Sequence, residues 1–499
     1  MKPRNLLVIM SDEHSRRVLG CYGHPMIKTP NLDRLAARGV RFTDAYCNSP
    51  ICVPSRASFH TGRFPHQIRF WDNAIPYDGS VPSWAHRLTQ AGHRATSIGK
   101  LHFRSSEDDN GFSEEIMPLH VVDGVGDPLG LIRRPLPVRK ATLKLANDAG
   151  CGDSDYQRYD DKIATAAEQW LRERRATDKA ATDKPRTDKP WVLFVSFVCP
   201  HFPLIARPEW YGLYPEESVP RPVLYEPADR PDHPYVAALR ECQIFDKGFD
   251  AVKLRKAIAA YFGLVSFIDH NVGRLLGVLE QTGLDAETRV IYTSDHGDNL
   301  GARGLWGKST MYEESAGVPM IMAGPEIPQG VACREPVSLT DCFPTILDCV
   351  GQQTHTDDLD LPGASLFDIV RGTAPNRTVM SEYHASGSAT GAFMIRKGQF
   401  KYIYYVGMPP QLFDLDADPQ ETRDLAQEEG YVGVLKDCEA ALRRIVDPEA
   451  ADRQAFADQA ERLAAAGGRE AVLGRGAFGF SPVPGTKAVY EAAGVRDRP

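Results

Sequence analysis

The sequence predicts an α/β fold: a large, mostly parallel central sheet flanked by helices, followed by a smaller C-terminal α+β subdomain. Short, largely apolar runs at residues 6–10, 191–198 and 289–292 suit strands buried on both faces of a parallel sheet. Helical patterns lie between those runs, as an α/β alternation requires. Near residue 370 the pattern changes to short, closely spaced strands.

Taken in order, residues 6–10 form the first strand, and Asp12 sits just past it. Residues 31–38 read as a helix, with Pro30 ahead and Gly39 ending it. Residues 111–155 are weakly patterned and bear Gly and Pro, which predicts loops near a pocket, where selectivity would lie. Residues 175–190 repeat Thr-Asp-Lys from Thr177, Thr182 and Thr187 and carry Pro185 and Pro190. They read as a polar, low-complexity surface loop. Residues 257–281 carry apolar side chains at helical spacing and close at Gly283. The run at 289–292 leads to Asp295, so Asp12 and Asp295 both reach the sheet edge where ligands gather. Residues 393–397, 400–405 and 412–415 are the expected small sheet, and 424–445 a helix. The expected division is a main domain at 1–370, a subdomain at 371–445 and an extended tail at 446–499. The tail is helical to Ala465, then rich in Gly and aromatics from Gly467 to Gly485. Such an arm packs on its own body or on a neighbouring subunit, and a homo-oligomer is expected.

Composition narrows the class. The chain has 499 residues, 42% hydrophobic and 25% charged, enough to bury a large core. A net charge of −8 argues against a nucleic-acid partner. An acidic protein still binds an anionic ester where its pocket is locally basic. Ten cysteines show no CxxC pairing and read as mostly reduced and buried, Cys52 excepted. The first apolar run is too short for a signal-peptide core, and no run is long enough to span a bilayer. A cytoplasmic location is expected, with periplasmic export through a removed leader left open.

The chemistry concentrates in Cys52-Val53-Pro54-Ser55-Arg56, followed by Thr61-Gly62-Arg63. Pro54 fixes φ and removes a donor, so the thiol enters a constrained turn. If that turn opens a helix, Arg56 shares a face with Cys52. A guanidinium fork suits a tetrahedral oxyanion ester. The pentapeptide alone equally allows a buried Cys beside an unrelated surface Arg. Asp12, Asp295 and His296 are carboxylates and an imidazole from two strand ends, a set that favours a hard divalent ion. Singly, Asp295 reads as a helix cap and His296 as a core histidine. Lys100 and Lys308 read singly as surface lysines, and His201 as a packed turn residue.

These segments resemble the formylglycine-dependent sulfatases of the alkaline-phosphatase superfamily. The likeness extends through Leu19-Gly20-Cys21-Tyr22-Gly23, Thr29-Pro30-Asn31-Leu32-Asp33, Gly99-Lys100-Leu101-His102, Pro200-His201 and Ser294-Asp295-His296-Gly297-Asp298. It continues through Lys308, Leu412-Phe413-Asp414-Leu415 and Asp418-Pro419. Val53 and His60 depart from the usual small and apolar residues near the nucleophile. The resemblance implies an alkaline-phosphatase-like fold and a formylglycine made from Cys52 by a formylglycine-generating enzyme. It implies a divalent metal held by Asp12, Asp295, His296 and position 52. Calcium is the expected ion, with manganese and magnesium the alternatives. Glu13 stands where a second Asp is common, and His296 where Asn is common; the His variant resembles choline sulfatases and phosphonate monoester hydrolases.

The same resemblance assigns roles. Arg56 and Lys100 would orient and neutralise the aldehyde hydrate and the sulfate. His201 and Lys308 would contact the sulfate and stabilise or protonate the leaving oxygen. His102 would take the proton of the second hydroxyl. Asn73, in Trp71-Asp72-Asn73-Ala74, resembles a pocket Asn. His14, Glu382 and His384 are further candidates for the pocket lining. The implied activity is hydrolysis of aryl or other small sulfate monoesters. A phosphonate monoester hydrolase or phosphodiesterase is the alternative, and an inactive binding protein the third reading. Gly99-Lys100-Leu101-His102 looks like the sulfatase loop and favours the first.

Overall fold

Strand β1 (Asn5–Asp12) is buried along its whole length. Leu7 and Ile9 face one apolar layer, while Leu6, Val8 and Met10 face the other. The computed structural model, which describes residues 2–180 and 189–491, builds a sheet outward from this strand in both directions. The other strands are β2 (Gly39–Phe42), β3 (Ala95–Lys100), β4 (Glu114–Leu119) and β5 (Val192–Pro200), then β6 (Thr288–Ser294), β7 (Met320–Ala323) and β8 (Val331–Cys333). The eight strands lie in the order β8-β2-β7-β6-β1-β5-β3-β4. Only β7 runs against its neighbours. Leu7 pairs with Leu193 on one side and Val290 on the other, so the three predicted apolar runs are the three central strands.

Helices cover both faces, as a parallel sheet requires. Helices α1 (Pro30–Ala37), α3 (Asp155–Ala180) and α4 (Ala251–Thr282) pack on the Leu7 side. Helix α2 (Cys52–Thr61) and helix α5 (Cys342–Val350) pack on the Val8 side. Helix α4 starts before the expected residue 257 because Asp250 caps it, accepting from the N–H groups of Val252 and Lys253 at 2.8 Å. Its end at Gly283 is as predicted, with φ 71°.

Several expectations are corrected. Gly39 does not merely stop α1; it opens β2, and a Cβ there would lie 2.2 Å from the Met322 carbonyl oxygen. The predicted loop from residue 175 is helical to Ala180, because no Gly or Pro interrupts the run from Asp155. The part at 181–188, with Thr182, Pro185 and Thr187, lies outside the described residues. Residues 111–155 hold the edge strand β4 as well as loops. Its side chains are mostly half-exposed, so no apolar run announces it.

Beyond residue 370, strands β9 (Thr378–Tyr383), β10 (Ala392–Lys397), β11 (Phe400–Tyr405) and β12 (Met408–Asp414) form an antiparallel sheet. β9 was not expected. Helix α6 starts only at Val432, not at 424, and ends at Ile445. Asp424 instead accepts the Leu412 N–H at 3.0 Å, and Leu425 N donates to Leu412 O at 2.8 Å, which ties this segment to β12. Helices α7 (Pro448–Ala465) and α8 (Gly468–Arg475) follow. A ribbon pairs β13 (Ala477–Phe478) with β14 (Tyr490–Glu491). The segment between them lies on the chain's own body, over the carboxyl ends of the sheet.

Candidate active site

Four adjacent strands deliver the polar centre. β6, β1, β5 and β3 end at or just before Asp295, Asp12, His201 and Lys100, with His102 two residues beyond β3. Cys52 is the first residue of α2, after an extended Ile51, so the turn does open a helix. Every residue of that helix is buried. Cys52 Sγ lies 3.3 Å from His296 Nε2, 3.3 Å from Lys308 Nζ and 3.8 Å from Asp12 Oδ1. Burial and the Asp12 carboxylate push its thiol above the ordinary range.

Asp12, Cys52, Asp295 and His296 each present one donor atom, all within 4.8 Å of one another. His296 Nδ1–H donates to the Gly297 carbonyl at 3.0 Å, which leaves the Nε2 lone pair toward the centre. Gly297 must be glycine, since a Cβ would lie 2.1 Å from Glu314 O. Burial opposes charge on Asp12, but Lys100, His201 and Arg56 hold its carboxyl well below the usual range. Two carboxylates and an imidazole nitrogen, all buried, fit a hard divalent cation. Glu13 stands outside this set. Its φ is 66°, and its Oε2 meets Lys308 Nζ at 3.1 Å and His201 Nε2 at 3.3 Å. Oε1 is buried without a partner, and burial pushes the Glu13 carboxyl well up.

Arg56 lies one turn along α2 and is wholly buried. Nε donates to Asp295 Oδ2 at 2.8 Å and Nη2 to Asp12 Oδ2 at 3.0 Å. Nη1 donates to Lys100 O at 2.8 Å and Ser196 Oγ at 2.9 Å. Arg56 therefore sits beneath the site and holds its carboxylates; it does not line the cavity as the expected sulfate contact would.

A cavity of about 370 Å³ opens beside Cys52 and is lined by Asn73, Lys100, His102, His201 and Lys308. Lys100 Nζ is 2.6 Å from Asp12 Oδ2. Burial would discharge Lys308, yet Cys52 and Glu13 raise its ammonium above the usual range. Asp298 accepts the Gly307 N–H at 2.9 Å and so fixes the loop that carries Lys308. Burial and Lys308 hold His201 well below its usual range, and its Nδ1–H donates to Phe202 O at 2.6 Å. Asn73 Oδ1 accepts the Val53 N–H at 3.0 Å, tying the cavity wall to α2.

Three candidates fall away from the cavity. His14 donates from Nε2 to Val18 O at 3.0 Å and accepts from Tyr292 at 2.7 Å, a core histidine. Glu382 accepts from His66 N at 3.0 Å and Nδ1 at 2.8 Å, and pairs with His384 Nε2 at 3.1 Å. Burial alone would raise Glu382, but His66 and His384 bring it to about 2. A carboxylate so lowered stabilises the fold above its ordinary value near 4.5 and loses that effect as pH falls toward 2. Glu382→Gln should therefore lower the melting temperature at neutral pH, and the gap to wild type should narrow across that acid window. Thermal melts at a series of pH values check this; a constant gap contradicts it. His60 stacks on Trp84 with centroids 5.3 Å apart, and burial keeps its ring neutral, an aromatic in an aromatic layer.

The sequence reading missed Tyr156, Phe202, Phe480, Ser481 and Trp306, which also line the cavity. Phe480 and Ser481 come from the tail, where no spacing pattern points to the pocket.

A family model described as Sulfatase matches residues 4–352. A second, described as N-sulphoglucosamine sulphohydrolase, C-terminal, matches residues 301–447. The choline-sulfatase of Rhizobium meliloti (strain 1021) is 34% identical over 430 residues, 85% of this chain and 82% of that protein. Arylsulfatase K of Danio rerio is 28% identical over 471 residues, 89% of this chain and 84% of that protein. The crystal structure of phosphonate monoester hydrolase of Agrobacterium radiobacter is similar in fold, with a TM-score of 0.69 at 22% identity. That likeness covers 89% of this chain and 95% of that one. The family match spans the strands and loops that bring Asp12, Cys52, Asp295 and His296 together, so the chain belongs to the sulfatase family and is a sulfuric ester hydrolase.

Proposed function

We propose that the chain hydrolyses monoesters of sulfate with aryl or other small organic alcohols. The nucleophile would be a formylglycine made from Cys52 by a formylglycine-generating enzyme. Asp12, Asp295, His296 and position 52 would hold a divalent metal, calcium first. The observation that carries this is the meeting of Cys52 Sγ with His296 Nε2 and Lys308 Nζ, both at 3.3 Å, beside the cavity.

The modified residue would supply a hydroxyl nucleophile, and the ion a Lewis acid. The rest falls to fixed side chains. Lys100 and Lys308 flank position 52 and place cationic charge where sulfate oxygens would lie, which is commonly the largest catalytic term. His201 Nε2 and Glu13 Oε2 lie 3.3 Å apart, with Lys308 beside them. A proton held there stands ready for the leaving oxygen. His102 lines the same cavity and is neutral, because burial with Lys100 and Arg56 holds it well below its usual range. It is the base of this site. Phe202, Phe480, Tyr156 and Trp306 give the cavity aromatic walls suited to an aryl leaving group.

The test is a comparison of kcat/KM for a nitrophenyl sulfate, a phenylphosphonate ester and a phosphate diester. The protein is co-expressed with a formylglycine-generating enzyme. The sulfate ester should dominate, chelation should abolish turnover, and added calcium should restore it. A dominant phosphonate or diester rate would overturn the assignment.

A further inference from the structure

Ser481 enters the cavity from the far end of the chain, 379 residues after His102. Its Oγ lies 3.0 Å from His102 Nε2. The loop that carries it is pinned on several sides. Tyr156 donates from its hydroxyl to Ser481 O at 2.5 Å. Phe480 meets the Tyr156 ring edge-on, with centroids 5.3 Å apart. The β13–β14 ribbon closes the two ends of the loop. Ser481 is thereby buried, and its hydroxyl meets His102 in place of solvent.

His102 is held just as firmly. Its φ is 60°, a left-handed conformation that histidine tolerates better than most residues. Its N–H donates to Leu119 O at 2.8 Å. Nδ1 is buried and has no partner. A neutral imidazole has one N–H and one lone pair. The Ser481 hydroxyl can accept or donate, so with Nε2 engaged by Ser481 a base at His102 must be Nδ1, with the hydrogen on Nε2.

We propose that Ser481 is a positioning residue for the reaction: its Oγ accepts the Nε2–H of His102 and so fixes Nδ1 as the base. When His102 takes a proton, that proton goes to Nδ1, while Nε2–H stays on Ser481. The imidazolium then donates from both nitrogens, and no other reactant is needed. The C-terminal strap thus completes the active site from within the same chain. This inference rests on the proposed role of His102 as base.

The test uses full-length protein with 15N-labelled histidine. Ring-nitrogen spectra are recorded for wild type, Ser481→Ala and Ser481→Thr, with His102→Gln to assign the signal. The expected wild-type signal is the neutral Nε2–H form. Ser481→Ala should move it toward a mixture, and Ser481→Thr should keep it. In parallel, Ser481→Ala should lower kcat for nitrophenyl sulfate roughly 10-fold with KM nearly unchanged, the scale of losing an orienting second partner. Ser481→Thr should recover most of that loss. An unchanged His102 signal in Ser481→Ala overturns the proposal, as does a kcat loss that Ser481→Thr shares, since that would report packing alone. Wild-type protein inactive on every sulfate ester would sink the functional assignment instead, while the spectra would still decide whether Ser481 sets the tautomer.

Discussion

Cys52→Ala is expected to cut kcat/KM for nitrophenyl sulfate by about four orders of magnitude or more, the scale on which removing a covalent nucleophile acts. The side chain stands where Asp12, His296 and Lys308 converge. The fold should survive. Position 52 is the first residue of α2, where alanine keeps helical backbone geometry and the orphan N–H costs nothing new. Lys308 keeps the Glu13 carboxyl as a hydrogen-bond acceptor at 3.1 Å, so its ammonium retains a partner. Melting temperature and activity should therefore separate cleanly. Cys52→Ser is the sharper variant. It offers one hydroxyl for attack and no second one to expel the sulfate, so it should release about one nitrophenol per protein and stop. Sustained turnover by Cys52→Ala would mean that the nucleophile lies elsewhere and would falsify the placement of the chemistry at α2.

Much of this site was legible because its residues sit at strand ends that apolar runs announce. Residues 6–10 and 289–292 lead to Asp12 and Asp295, and the sheet places their strands side by side. Cys52 and His296 followed from local motifs, and they meet the two aspartates in one cluster. Arg56 was legible as a partner of Cys52 along a helix face, but not in its direction. Sequence spacing says which face a residue shares, not whether the carboxylates below or the cavity above claims its guanidinium. Glu13 was similarly undecided, because an added methylene and a positive φ turn it toward Lys308 and His201. Residues 424–431 misled because their polar, helix-compatible sequence is overridden by bonds to β12, a tertiary choice. Ser481 and Phe480 were invisible for a different reason. They meet the cavity through a return of the chain across hundreds of residues, and no local period encodes such a contact.

Arg56→Ala should destabilise the protein by about 3–5 kcal/mol, the usual cost of removing one partner from a buried ion pair. The loss comes from stranded charge. Arg56, Asp12 and Asp295 have no exposed side-chain surface, so water cannot replace the guanidinium. Asp12 would keep Lys100 at 2.6 Å. Asp295 Oδ2 would lose its Arg56 bond, and two carboxylates would face one another with less cationic charge between them. Arg56→Lys should recover only part of the loss. One ammonium cannot reproduce a fork that spans Asp12, Asp295, Ser196 and the Lys100 carbonyl at once. A divalent cation offsets the same repulsion, so the loss should be larger in chelator than in calcium. Calcium should nevertheless fail to restore activity, because the carboxylates would no longer be held in place. Denaturant unfolding of wild type, Arg56→Ala and Arg56→Lys, each with calcium and with chelator, measures all of these differences. Equal destabilisation in the two conditions would show that Arg56 acts through packing and not through the charge of the carboxylates it joins.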